Sequence, residues 1–257
     1  KQGSIRVNGQ QVEHTRMLSE GSVVEVTLPA VQVLEALCPK HCWPRIIYED
    51  DFLAVCWKDP QVKSMGGWQT AENGARLQVK PSLAPDSFDQ RLKSVHRLDK
   101  PVAGLMLMAK TTSVHRCLMQ WLQLRTHITK VYRAIVLGDP LHQADDSSPS
   151  GNNFQVNLPV DGKESLTVGK RLESLGRYTV VELKPITGRR HQLRQHMAAL
   201  KCPIVGDTEY GSSKDVSTNG LLLAAVALKF PHPQEPSRCL EFEEEEPKHF
   251  KIWRQKQ

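Results

Sequence analysis

Residues 96–109 read HRLDKPVAGLMLMA: a charged stretch, a proline turn, then an unbroken apolar run. The run Gly104-Leu105-Met106-Leu107-Met108-Ala109 has the length of one strand and lacks the alternation of a half-exposed one. Such a run reads as a strand covered on both faces, hence central in a sheet. His96-Arg97-Leu98-Asp99-Lys100 then sits at that strand's mouth, with Gly104 where side-chain bulk would obstruct. A carboxylate flanked by two cations there should stay ionised at neutral pH and can act as nucleophile or base. Read alone, the same residues fit a surface ion-pair cluster better.

Downstream, Thr111 or Thr112 can cap a helix in which Val114, Cys117, Leu118, Trp121 and Leu122 recur at three- and four-residue spacing. Lys130 to Leu137 reads as a strand, with Tyr132, Ala134 and Val136 on one face and Val131, Arg133 and Ile135 on the other. A tyrosine so placed can stack on a flat ring or simply fill the core. Tyr178 to Leu183 reads as a strand, Gly188 to Leu200 as a helix and Leu221 to Phe230 as a late strand. Upstream, Ile46-Ile47-Tyr48 and Phe52 to Cys56 flank Glu49-Asp50-Asp51, a hairpin pattern. Residues 60–90 read mostly as loop and 139–153 as a polar surface insertion. Strands outnumber helices and are often joined by short turns, so the fold class is α+β with a largely antiparallel sheet.

Residues 4–28 form a smaller β-rich unit: Ile5-Arg6-Val7 leads into Asn8-Gly9, a tight-turn dipeptide, and Val23 to Leu28 follows Glu20-Gly21. It is too short to hold a core alone. Pro29 through Pro44 reads as a connector, and the main domain opens at Arg45. The expected division is therefore 1–30, 31–44 and 45–257.

At 257 residues, 39% hydrophobic and 24% charged, the chain can bury a sizeable core and is not disordered. No apolar run nears the roughly 18–20 residues of a transmembrane helix, so no membrane partner is expected. Lys1 to Arg6 shows no signal pattern, and the absence of an initial Met fits a processed or truncated chain. The net charge of +6 is compatible with a polyanion partner. Glu241 and Glu243 to Glu246 crowd near the end, leaving the rest more basic; that run reads as a solvated loop or edge. Six cysteines without secretory features read as the reduced thiols of an intracellular protein, in the cytoplasm or an organelle. Cys38-Pro-Lys-His-Cys42 hints at zinc, but a closed site needs four ligands and no second pair follows.

The most informative stretch is 187–196, TGRRHQLRQH. If a helix begins near Gly188, three arginines lie in its first two turns, at the positive end of the macrodipole, each disfavoured by up to about 1 kcal/mol. That arrangement makes sense if phosphates or a carboxylate occupy the helix end. Arg190 and Arg194 share a face at i,i+4, and Leu193, Met197 and Leu200 form the apolar stripe. The alternative is arginines splayed into solvent.

His96 to Asp99 with Gly104 to Lys110 resembles the signature of the RluA-type pseudouridine synthases. Lys130-Val131-Tyr132 resembles that family's second motif. Thr187 to His196, with Pro203 to Asp207 and Tyr210-Gly211 after it, resembles the third, and the matches fall in family order over about residues 45–250. The N-terminal unit is similar to the C-terminal half of an alpha-L RNA-binding motif that lacks its helical first half. The resemblance implies a pseudouridine synthase-like domain with a central mixed, mostly antiparallel sheet flanked by helices. It also implies the reaction: uridine in tRNA or rRNA becomes pseudouridine, with no cofactor or metal, on a monomer. Asp99 matches the catalytic Asp, and Arg194 the Arg that pairs with it. Tyr132 matches the residue that stacks on the base and is placed to take the proton from carbon 5. Leu193 would pack on the other side of the uracil. Arg97 matches the residue that contacts the backbone and fills the space of the flipped nucleotide. Arg189, Arg190 and His191 belong to the RNA-binding set. Cys56-Trp57-Lys58-Asp59-Pro60-Gln61 departs from the family's Asn-Lys-Pro-Ala-Gly, and Val102-Ala103-Gly104 from its Thr-Ser-Gly. Either change could alter which RNA fits. Two other readings compete. A catalytically inactive RNA-binding homologue is disfavoured by the intact Asp99, Tyr132 and Arg194; a hydrolase needs a second carboxylate that no motif supplies.

Overall fold

A computed structural model describes residues 4–12, 19–27, 36–87, 92–142, 151–211 and 220–256. The short N-terminal runs form β1 (Ser4–Val7), β2 (Gln10–Val12) and β3 (Val24–Thr27), an antiparallel sheet in the order β2-β1-β3. Asn8 and Gly9 make the first turn with φ of 51° and 79°, the positive values that this dipeptide tolerates.

The second sheet has ten strands. They are β4 (Arg45–Glu49), β5 (Leu53–Lys58), β6 (Lys93–Ser94), β7 (Ala103–Ala109) and β8 (Thr129–Leu137). Then come β9 (Asn153–Asn157), β10 (Leu166–Leu175), β11 (Tyr178–Pro185), β12 (Leu223–His232) and β13 (Glu235–Glu243). The main path is β4-β5-β7-β12-β8-β11-β10-β9, with β6 on β7 and β13 on β12. Among the described residues β7–β12 is the one parallel strand pair, so the sheet is mixed and mostly antiparallel. Four helices accompany it among the described residues: α1 (Ala71–Gln78), α2 (Thr112–Leu124), α3 (Gln192–Ala199) and α4 (Lys248–Arg254). None is long and apolar enough to cross a membrane.

Alternation divides the core into two layers. β7 is buried throughout: Met106 and Met108 join one layer, while Leu105 and Leu107 join the other with Val114 and Leu118 of α2 and Phe250 and Trp253 of α4. β8 does the same, sending Tyr132, Ala134 and Val136 to the first layer and Ile135 to the second. Leu193 and Met197 of α3 lie in the first layer, beside Tyr132. Thr111 caps α2 by accepting from Val114 N.

Three expectations need refining. Residues 60–90 are mostly loop, as expected, but their middle holds α1, eight residues capped by Thr70 and braced by the Glu72–Arg76 bridge at 2.6 Å. Its Gly74 costs helix propensity but admits the chain of Cys42, whose carbonyl oxygen would lie 2.7 Å from a Cβ there. The connector also does more than connect: Cys38 and Cys42 are buried in the first core layer, and residues 40–42 make a 3-10 turn. Third, the helix expected from Gly188 begins at Gln192, so Arg189 and Arg190 precede it in a turn that ends on His191 at φ 53°. Much of the insertion expected at 139–153 lies outside the described residues.

Gly104 meets its expectation. Its φ is +134°, and a Cβ would fall 2.4 Å from the Ala225 carbonyl oxygen across the parallel pairing. Gly104→Ala should therefore destabilise the fold by about 3 kcal/mol or more. A urea-unfolding midpoint shifted by less than about 1 kcal/mol equivalent would show that β7 and β12 can yield here.

Candidate active site

Asp99 stands in the turn that leads into β7, its carbonyl accepting from Val102 N at 3.0 Å. Two buried side chains fix this turn. Ser64 Oγ donates to Leu98 O at 2.7 Å and accepts from Leu98 N at 2.9 Å. Lys58 Nζ donates to the carbonyls of Asp59, Val62 and Lys100 at 3.0, 2.8 and 3.2 Å. Burial pushes the Lys58 ammonium down to about 7, against the opposing pull of the Asp59 and Asp99 charges.

The opposite wall comes from the turn before α3 and the helix itself. Gln192 locks that turn: Oε1 accepts from Thr187 Oγ1 (2.6 Å) and Arg189 N (3.0 Å), and Nε2 donates to Leu166 O and Thr167 Oγ1 (both 3.0 Å). Leu193 and Arg194 follow at fixed angles, both buried. Arg194 reaches Asp99 with Nη1 at 3.7 Å, and His191 Nε2 lies 3.6 Å from Asp99 Oδ1. The pairing drawn from the resemblance is thus a secondary contact. Arg194 spends its other edge on Asp207, with Nε and Nη2 bonds of 2.7 Å each, and Nη2 adds Glu209 at 3.1 Å. Burial works against the Arg194 charge, but the Asp207 bonds outweigh it and raise the guanidinium pKa. On the other ring nitrogen, His191 Nδ1 lies 3.0 Å from Tyr210 Oη and 3.3 Å from Glu209 Oε1.

Tyr132 is buried on β8. Burial first, then the Asp99 charge, push its phenol above the ordinary value, so it keeps its proton at neutral pH.

Asp99, Tyr132, Arg194, Leu193, Arg97, Arg189, Arg190 and His191, from three distant stretches, all line one cleft of about 920 Å³. Arg97 and Arg190 are exposed on its rim. Among the described residues seven Lys and Arg side chains line the cleft against a single carboxylate, Asp99. Sequence reasoning missed Asp207, Glu209, Lys58, Ser64 and Gln192. Asp207 and Lys58 sit inside quoted motifs, but nothing in their spacing says which group each will hold. Among the described residues no group of three or more His, Cys, Asp or Glu is arranged to hold a metal ion.

The RNA pseudouridylate synthase family model matches residues 53–199. The chain belongs to the RNA pseudouridylate synthase family. Relatives include the uncharacterized RNA pseudouridine synthase YlyB of Bacillus subtilis, 32% identical over 256 aligned positions that cover 95% of this chain and 82% of that protein. The dual-specificity RNA pseudouridine synthase RluA of Vibrio cholerae is 34% identical, covering 76% and 80%. Ribosomal large subunit pseudouridine synthase C of Vibrio vulnificus is 31% identical, covering 91% and 78%. The solved human RNA pseudouridylate synthase domain containing 1 shares the fold, with a TM-score of 0.62 at 22% identity over 80% of this chain and 85% of that one. Pseudouridine synthases are isomerases acting on RNA, and the cleft described above is this member's candidate active site.

His96 gives the cleft wall a pH signature. Its Nε2 accepts from Leu107 N at 3.1 Å, which requires a ring unprotonated at that nitrogen. Burial, then the Lys130 charge, push it from 6.5 down to about 3. As pH falls through that window, the unfolded chain takes up a proton that the folded chain refuses, so stability falls. His96→Gln should flatten that part of a stability–pH curve measured by urea unfolding; an unchanged slope would detach His96 from it.

Proposed function

We propose that Asp99 carries the isomerisation of a flipped-out uridine in RNA. One observation supports this above the others: among the described residues, the one carboxylate of a cleft lined by cations sits beside a buried tyrosine and a guanidinium. The N-glycosidic bond breaks, the uracil turns, and its carbon 5 bonds the same sugar carbon. Asp99 either attacks that sugar carbon or removes a neighbouring proton so that a glycal forms. Arg194 faces the carboxylate from 3.7 Å and orients it. Tyr132 stacks under the base with its phenol protonated, and Leu193 packs from the other side. If Tyr132 also receives the carbon 5 proton, it must first lose its own.

The cations divide by position. Arg97, on the rim next to Asp99, holds the backbone where the nucleotide leaves the stack, at a cost of a few kcal/mol that is least in a loop. Arg189, Arg190 and His191 face the phosphates. An isomerisation that remakes a bond at the same carbon consumes no oxidant, reductant or second substrate, and we assign it no cofactor or metal. Relatives named for the ribosomal large subunit favour ribosomal RNA as substrate, and transfer RNA is the alternative we keep. We further assign the activity to a monomer inside the cell, in cytoplasm or organelle, with catalysis in residues 45–257 and the 1–30 unit joined by 31–44. With its three chemical groups in one cleft, the inactive-homologue reading gains no support.

Asp99→Asn should abolish release of tritium from RNA carrying 5-tritiated uridine while RNA affinity stays within a few-fold of wild type. Undiminished release would remove Asp99 from the mechanism. Arg190→Ala should weaken RNA binding and reduce the slope of log affinity against log salt by roughly one phosphate contact. A slope equal to wild type would show that this side chain does not meet phosphate.

A further inference from the structure

A second cleft, of about 600 Å³, opens at Lys100, the residue after Asp99. Gln61, Lys63, Trp68 and Gln69 line it from one loop, and His41 from the 3-10 turn. Lys63, Lys100, Gln61, Gln69 and His41 are exposed, and Trp68 is half-buried. None of the lining residues among those described is acidic. Gly66 and Gly67 adopt φ of 84° and 99°, and a Cβ on either would meet nothing within 4 Å, so a ligand can approach the backbone closely. Gln61, not a glycine, is also held at φ 67°. Strained backbone of this kind persists where surrounding structure fixes it, and it gathers at binding sites.

The surrounding structure is the catalytic turn. Lys58 donates at once to Val62 on the floor of this cleft and to Lys100 on its edge. Ser64 bonds Leu98 in both directions. The loop of the second cleft and the Asp99 turn therefore form one bonded unit.

Two ammonium groups without a local carboxylate suit a polyanion. An indole beside them suits a ligand that also has flat faces, and the amides of Gln61 and Gln69 suit one with donors and acceptors on ring edges and sugars. Single-stranded RNA has all three properties, and the residue that joins the two clefts is adjacent to Asp99. We propose that the second cleft holds the single-stranded RNA flanking the reacting uridine, with Lys63 and Lys100 on phosphates and Trp68 stacked on a base. This rests on the catalytic reading of the Asp99 cleft. It places recognition of the flanking sequence in residues 61–69, just after the Cys56–Gln61 stretch that departs from the family's usual pattern.

The test is fluorescence anisotropy of the full chain with labelled oligouridylates of about 5 and about 15 nucleotides, the longer spanning a usual single-strand footprint. Lys63→Glu and Trp68→Ala should each weaken the longer oligomer about tenfold and leave the shorter within about twofold, with Trp68→Phe restoring most of the loss. Lys63→Glu should also reduce the salt slope for the longer oligomer alone. Unchanged binding of the longer oligomer in both variants would overturn the proposal, as would equal losses at both lengths. Loss of polyglutamate binding with RNA binding intact would assign the cleft to an acidic protein and overturn it too. A wild-type chain that binds neither oligomer would sink the underlying RNA reading, and this one with it.

Discussion

The bond between Arg194 and Asp207 organises the site. Both side chains are buried, and each would pay several kcal/mol of desolvation alone; the bidentate geometry offsets this, and breaking such a pair costs about 3–5 kcal/mol. Backbone fixes the acceptor as well, because Asp207 Oδ1 takes bonds from the amides of Glu209 and Tyr210 at 3.0 and 3.1 Å. With its Nε–Nη2 edge committed, Arg194 presents only Nη1 to Asp99, at 3.7 Å. Asp99, the proposed catalytic carboxylate, thus faces one guanidinium nitrogen at a distance and is not engaged in a tight bidentate clasp. Its lone pairs stay free for a substrate. A direct 2.7 Å pair would have stabilised Asp99 more and left it less able to react.

The sheet sets the width of the slot. Ala225 of β12 pairs in parallel with Gly104 and in antiparallel register with Tyr132. One strand therefore separates the strand that follows Asp99 from the strand that carries the phenol, a spacing of about 9–10 Å between β7 and β8. Gly104 allows β12 to come that close, since any side chain would strike the Ala225 backbone. Alternation along β8 then puts Tyr132 on the same layer as Leu193.

Most of this scaffold is legible in the sequence because it rests on periodicity. The apolar run 104–109 predicts β7, alternation in 130–137 predicts the face of Tyr132, and the Thr111 cap predicts α2. What escapes has no periodic signal. Helix α1 is obscured by Asn73 and Gly74, poor helix formers: Gly74 lets Cys42 pack close, and the Asn73 amide donates to Gly67 O and Trp68 O. The helix after Gly188 starts four residues late because the Gln192 side chain bonds Thr187 and Arg189 and holds them in a turn. That delay matters chemically: Arg189 and Arg190 need not oppose the macrodipole, and the argument from that opposition loses its premise while the expectation of an anionic ligand keeps separate support. The roles of Lys58, Ser64 and Asp207 depend on contacts between distant stretches, which one sequence does not display.

Charge supplies that separate support, once its distribution is followed in space. The acidic run near the C-terminus, read from sequence as a solvated edge, is largely a set of ion-pair partners. Glu244 holds Arg45, Glu245 holds Lys251, and Glu246 holds Arg254 with Arg133. These pairs consume acids and bases together, so they leave the net charge of +6 to be expressed elsewhere. Among the described residues seven Lys and Arg side chains and one carboxylate line the cleft; Arg194 is paired with Asp207 and Glu209, and Lys184 with Glu182. Repulsion among the remaining cations costs stability in the free protein, and a phosphate backbone relieves it while releasing its own counterions. The cations proposed to meet RNA at the rim share the cleft with Asp99, so in the proposed mechanism binding and chemistry draw on one uneven distribution of charge.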